Sequence, residues 1–138
     1  MSWAKSLIKL STYEVEVLQK RLSEIADRRT QAEMKLVLLH AEGESEAARV
    51  RDDVDAGWYQ VGYAEGLRLR KAAAQLEIDR IVAEESGARD ALSQAFEEQK
   101  KYEQVAEQIR LTEVRAAARL ETAAMDEMGL RRAAGGHR

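Results

Sequence analysis

The sequence predicts an all-α protein, two long helices folded into an antiparallel coiled-coil hairpin, and three observations carry that prediction. The 138 residues include no proline, so neither half holds the residue that most often breaks a helix. Each half repeats its apolar residues every 3.5 positions, the period of a stripe that keeps facing a partner helix. Three of the eight glycines, Gly57, Gly62 and Gly66, lie close together near the centre, where a reversal would bring the two halves side by side.

Helix 1 is expected over about residues 3–55. Ser2 offers an early cap and Ser11 to Glu14 a later capping box, but Leu7 and Ile8 already follow the apolar pattern and favour the early start. With Ile8 at heptad position a, the seam of helix 1 runs through Val15, Leu18, Leu22, Ile25, Leu36 and Leu39. It weakens beyond Leu39, where Gly43 and Glu46 fall at seam positions. The turn is expected over about residues 56–66. Each glycine there costs a helix about 1 kcal/mol relative to alanine and readily takes the positive φ that ends one.

Helix 2 is expected over about residues 67–130, with Ile78, Ile81, Leu92, Tyr102, Ile109 and Leu120 in its seam and alanine filling most of the remaining positions. Alanine removes little apolar surface from water, so at roughly 25 cal/mol per Å² the pairing is of modest stability. Residues 131–138, with Gly135 and Gly136, read as a frayed tail, and the whole chain reads as one hairpin. Charged residues at seam positions, Arg29, Glu46, Lys71, Glu85 and Glu113, are expected to set register more than to contact a partner.

Composition narrows the function. Charged residues make up 34% of the chain and aromatic ones 5%, which suits a thin seam and a solvated surface. The formal net charge of -3 gives no broad cationic field for a phosphate backbone, so nucleic acid is not an expected partner. The absence of cysteine excludes disulfides, thiolate nucleophiles and thiolate metal sites. No segment approaches the roughly 20 apolar residues of a membrane helix, and Met1 to Leu10 lacks the apolar core of a signal peptide. A soluble cytoplasmic protein is expected.

Nothing in the sequence points to an enzyme or a cofactor. No glycine loop followed by Lys and Ser or Thr is present to cradle phosphates, and Gly62 and Gly66 match a membrane-helix spacing only beside Glu65 and several arginines. The two histidines, His40 and His137, are expected to be solvent-exposed. The carboxylates flanked by Arg and Lys read as solvated ion-pair partners, and so thin a hairpin offers no concave catalytic pocket. The sharpest candidate site is Trp58, Tyr59 and Tyr63, aromatics gathered where the chain should turn. They suit either an interface anchor or a cover for the open hairpin end. Leu36 to Leu39 adds apolar residues outside the seam that a partner could contact.

Several segments in order resemble the FliJ family of the bacterial flagellar type III export apparatus. They are Ala32-Glu33 followed by Leu36 and Leu39, the turn from Trp58 to Tyr63 leading into Leu67, the run Phe96 to Glu103, and the closing Met125-Asp126-Glu127. The resemblance implies a non-enzymatic stalk, similar to the central shaft of rotary ATPases, whose terminal end sits in the ring of the flagellar export ATPase. Its other end would reach the cytoplasmic domain of the export gate, and export chaperones would be further partners. It would work in the cytoplasm and, through the gate, at the cytoplasmic face of the inner membrane without spanning it. The family's gate-contacting stripe falls here on Leu39, Tyr63 and Leu67, whereas Glu42 and Glu46 stand where helix 1 should carry aromatics. The residues alone leave two alternatives open: a scaffold in which one uninterrupted helix dimerises, and a chaperone dedicated to one secreted substrate.

Overall fold

The computed structural model describes residues 2–135 of the chain. Helix α1 runs Ser2–Asp52, a 3-10 helix follows over Val54–Tyr59, and helix α2 runs Gln60–Gly135. The chain is therefore an all-α, two-helix coiled-coil hairpin and not one uninterrupted helix.

The reversal is shorter and earlier than the glycines suggest. Helix α1 stops at Asp52 instead of near residue 55, and α2 is already helical at Gln60, so Gly62 and Gly66 lie inside it. Among the described residues no glycine has a positive φ. The break is made by Asp53, which takes an extended backbone (φ -122°, ψ 103°) while its carboxylate accepts a hydrogen bond from the Asp55 N–H at 3.1 Å. An aspartate that bonds the backbone two residues on offers the chain an alternative to the helical ladder, and here it wins. The glycines that follow stay helical because Tyr63 and Leu67, spaced among them, pack against α1. At the other end α2 continues through the residues expected to fray, as far as Gly135; Gly136, His137 and Arg138 lie outside the described residues.

The stretch Val15–Gln94 holds most of the buried seam. Ile25, Ile81 and Ala88 form one buried cluster with Leu22 and Ala32 against it, and Leu39, Leu67 and Ala74 form another with Leu36 and Tyr63. Val15 and Ile78 are also buried, while Leu18 and Leu92 are half-buried. Burial of each isoleucine contributes roughly 2 kcal/mol, and an alanine much less, so the long aliphatic residues carry the pairing. Gly43 has a steric purpose: a Cβ built there would lie 2.6 Å from Leu67 Cδ2, so the missing side chain makes room for the leucine.

Charge also enters this seam. Glu85, whose side chain is only 6% exposed, accepts a hydrogen bond from Arg29 Nε at 2.7 Å and an ion pair from Arg89 one turn away. Outside the seam Arg28 pairs with Glu84 at 3.0 Å, and Arg70 with Glu42 at 3.5 Å.

The residues up to Glu14, with those from Ala95 onward, form the second compact stretch. Ala4, Ser11 and Ala95 are buried, Tyr102 and Ile109 are half-buried, and Gln99 donates to Thr12 Oγ1 at 3.1 Å. From Thr112 to Gly135 every residue is exposed, Leu120 at 74%, because no described residue of α1 packs on this length of α2. Leu120 is thus not a seam residue, although its heptad position is correct.

Two consequences are measurable. Replacing Arg29 with Leu should lower stability in urea unfolding by up to about 3 kcal/mol, because it strips a buried carboxylate of its interhelical partner. The double variant Arg29→Leu/Glu85→Leu should recover most of that loss. Separately, Arg28 hydrogen-bonds Glu84 and holds its carboxyl below the ordinary glutamate value. With the folded value the lower one, this contribution is present above the unfolded glutamate pKa and is lost as pH falls through the folded one. Thermal melts should therefore show an acid limb that Glu84→Gln makes shallower.

Candidate functional site

The turn is where the chain gathers aromatic residues, and the structure divides them. Trp58 is 86% exposed and Val61 is 81% exposed, two apolar side chains projecting into solvent within one turn of each other. Trp58 touches Tyr59 edge-on, with ring centroids 5.4 Å apart and planes at 81°. Tyr59 and Tyr63 are half-buried and reach back to α1.

Each tyrosine hydroxyl donates to a glutamate of α1. Tyr59 bonds Glu46 Oε1 at 3.1 Å and Tyr63 bonds Glu42 Oε1 at 3.0 Å. The two pairs share one antiparallel register, one helical turn apart on each side. An arginine completes each pair: Arg49 bonds both Glu46 and the Tyr59 hydroxyl with its guanidinium 5.6 Å from the ring centroid, and Arg70 pairs with Glu42 and lies 6.0 Å from the Tyr63 centroid. Partial burial, followed by the hydrogen bond to the glutamate, pushes both phenols above the ordinary tyrosine value. Two Glu–Tyr–Arg clusters thus latch the 3-10 turn, through Tyr59, and the start of α2, through Tyr63, to the end of α1.

Leu39 and Leu67, the other two residues of the expected stripe, are buried against one another's cluster and are not free for a partner while the hairpin is closed. Of the five candidate residues, then, two are seam, two are latch, and Trp58 alone stands open. Glu42 and Glu46, which depart from the family's aromatic stripe, are the acceptors of the latch. Their i, i+4 spacing matches Tyr59 and Tyr63 in reverse, a signal that an antiparallel pairing of the two segments makes visible. Val61 had no sequence signal, since only the exposed start of α2 distinguishes it from a seam valine.

Other chemistry is sparse. His40 and Glu44, one turn apart, are both exposed, and among the described residues no group of three or more His, Asp and Glu could hold a metal ion. His137 lies outside the described residues. No helix is long and apolar enough to cross a membrane among the described residues.

Comparison with known proteins finds two curated relatives, both called "Flagellar FliJ protein", from Caulobacter vibrioides strains NA1000 / CB15N and ATCC 19089 / CIP 103742 / CB 15. Each is 52% identical over 136 residues, covering 99% of this chain and 98% of the relative. No family model matches the chain. No solved structure matches it either.

Breaking the latch has a direct spectroscopic readout. The phenols' raised values mean that their contribution is present below the unfolded tyrosine pKa and is lost as pH rises through the folded one. Alkaline titration followed by tyrosinate absorbance should show a late-ionising phase, and Tyr59→Phe/Tyr63→Phe should abolish it while leaving helicity near neutral pH within a few per cent.

Proposed function

Because the chain belongs to the FliJ family, we propose that it is a non-enzymatic component of the flagellar type III export apparatus, a stalk-like coiled coil that binds the export ATPase ring and the export gate. The observation that carries this reading is the 52% identity to flagellar FliJ proteins along 99% of the chain.

Two structural features support the partner assignments. The length of α2 beyond Leu111 has no partner among the described residues and exposes Leu120, Met125, Met128 and Leu130, which would give the terminal end an apolar surface for the ATPase ring. The turn presents Trp58 and Val61, which would supply the gate with an exposed aromatic anchor beside the latch. The stalk would shift its partners between conformations through differential contacts, and nucleotide chemistry would belong to the ATPase. Export chaperones would be further partners, and the site of action would be the cytoplasm and the cytoplasmic face of the inner membrane.

The test is ATP hydrolysis by the flagellar export ATPase with and without this chain, combined with cross-linking from positions near Leu7 and Leu120. Stimulation severalfold, with cross-links from both positions to the ring, is expected; no stimulation and no cross-links would overturn the reading. In a pull-down with the cytoplasmic domain of the gate, Trp58→Ala should weaken capture about tenfold or more, as loss of an aromatic anchor does, at unchanged helicity.

A further inference from the structure

The first turns of α2 are helical against the preference of their own residues. Gln60 to Gly66 carries Gly62 and Gly66 together with Val61 and Tyr63, a combination of low helix propensity. Neither glycine is there to make room. A Cβ built at Gly62 or Gly66 meets no atom within 4 Å, whereas one at Gly43 would strike Leu67. Packing gives little in return, because between Leu39 and Leu67 no described side chain is buried, while the seam beyond Leu67 buries Ala74, Ile78 and Ile81. The side-chain oxygen of Gln60 is shut off from solvent without a hydrogen-bond partner, which opposes the helical form further. What holds the segment is the pair of Glu–Tyr–Arg clusters, and their ion pairs are largely exposed and therefore weak.

We propose that Gln60 to Gly66 is a convertible segment, helical while the latch is closed and unwound when it opens, and that the closed latch is autoinhibitory. The chain is continuous through the turn, so the two helices can part there only if their connection lengthens. Residues leaving a helix lengthen it from about 1.5 Å to as much as about 3.3 Å each. Unwinding stops at Leu67, which is buried with Leu39 and Ala74. In the closed form Trp58 and Val61 are exposed, while Tyr59 and Tyr63 commit their hydroxyls to Glu46 and Glu42. Unwinding releases both phenols from α1, so that Trp58, Tyr59 and Tyr63 can close together on one partner. With the turn read as the gate-contacting end, on which this part of the inference rests, Glu42 and Glu46 compete with the gate for the two tyrosines.

Amide hydrogen exchange on the full chain tests the unwinding. The N–H groups of Ala64 and Glu65, which lie inside α2, should exchange at least about tenfold faster than those of Ile78 and Ile81 after correction for intrinsic rates. Gly62→Ala/Gly66→Ala adds helix propensity where there is open space and should slow Ala64 and Glu65 about tenfold or more, whereas Glu42→Ala/Glu46→Ala should speed them severalfold. Protection of Ala64 and Glu65 equal to that of Ile78 and Ile81 would overturn the proposal, since the segment would then open only with the whole hairpin. Capture by the cytoplasmic domain of the gate tests the autoinhibition. The glutamate variant should bind severalfold more tightly than the native chain and the glycine variant severalfold more weakly; a glycine variant that binds as well as the native chain would overturn the autoinhibitory role and leave Trp58 as the anchor. If the gate captures neither the native chain nor any variant, the gate reading itself fails, and the exchange rates still decide the unwinding.

Discussion

Between the two helices of the Val15–Gln94 stretch, the Arg29 guanidinium meets the buried Glu85 carboxylate at 2.7 Å, and the register of that stretch depends on the meeting. Leucine, isoleucine and alanine repeat along both helices, so a slip of one heptad would still bury apolar surface against apolar surface. It would leave Glu85 with Arg89 of its own helix but put Leu22 or Leu36 in the place of Arg29. Alanine at so many positions makes the hydrophobic difference between registers small, so loss of the interhelical bond to this buried carboxylate weighs against a slip. The Gln99–Thr12 hydrogen bond, and the space left at Gly43 for Leu67, select their own local alignments by the same kind of mismatch penalty.

The register also explains the tip. Once α1 and α2 are aligned, Glu42 and Glu46 stand opposite Tyr63 and Tyr59, and the phenols satisfy the carboxylates while covering the last turn of the seam. The turn itself can then be brief: one extended residue, Asp53, and a 3-10 helix to Tyr59. A turn built this way is held through Tyr59 and Tyr63, while Trp58 touches only the edge of Tyr59 and Val61 stays exposed.

Seen along its length, the chain spends its apolar residues in three ways. Those with a partner across the seam hold the helices together; those past Leu111 on α2 have no counterpart because α1 has ended; and those on the backs of both helices near Leu38 and Leu76 face outward. The second and third groups do nothing for the fold of a single chain, which is the physical ground for reading them as surfaces for other molecules.

The fold class was legible from the residues because proline's absence, the 3.5 period and a central break are local properties, each visible in a short window of sequence. So was the gathering of aromatics at the reversal. What the sequence could not settle was which of them remain exposed, since Tyr59 and Tyr63 differ from Trp58 only in having a glutamate across the helix pair. The place of the turn differs from the glycine-rich segment for a related reason: glycine's conformational freedom permits a break but does not require one, while Asp53 has a specific hydrogen bond to offer and the packing of Tyr63 and Leu67 keeps Gly62 and Gly66 helical. Leu120 sits at a seam position by its heptad and yet is exposed, because periodicity belongs to one helix and burial needs two. The sequence by itself thus determined the helices and their stripes, and only the tertiary pairing decided where each stripe finds a partner.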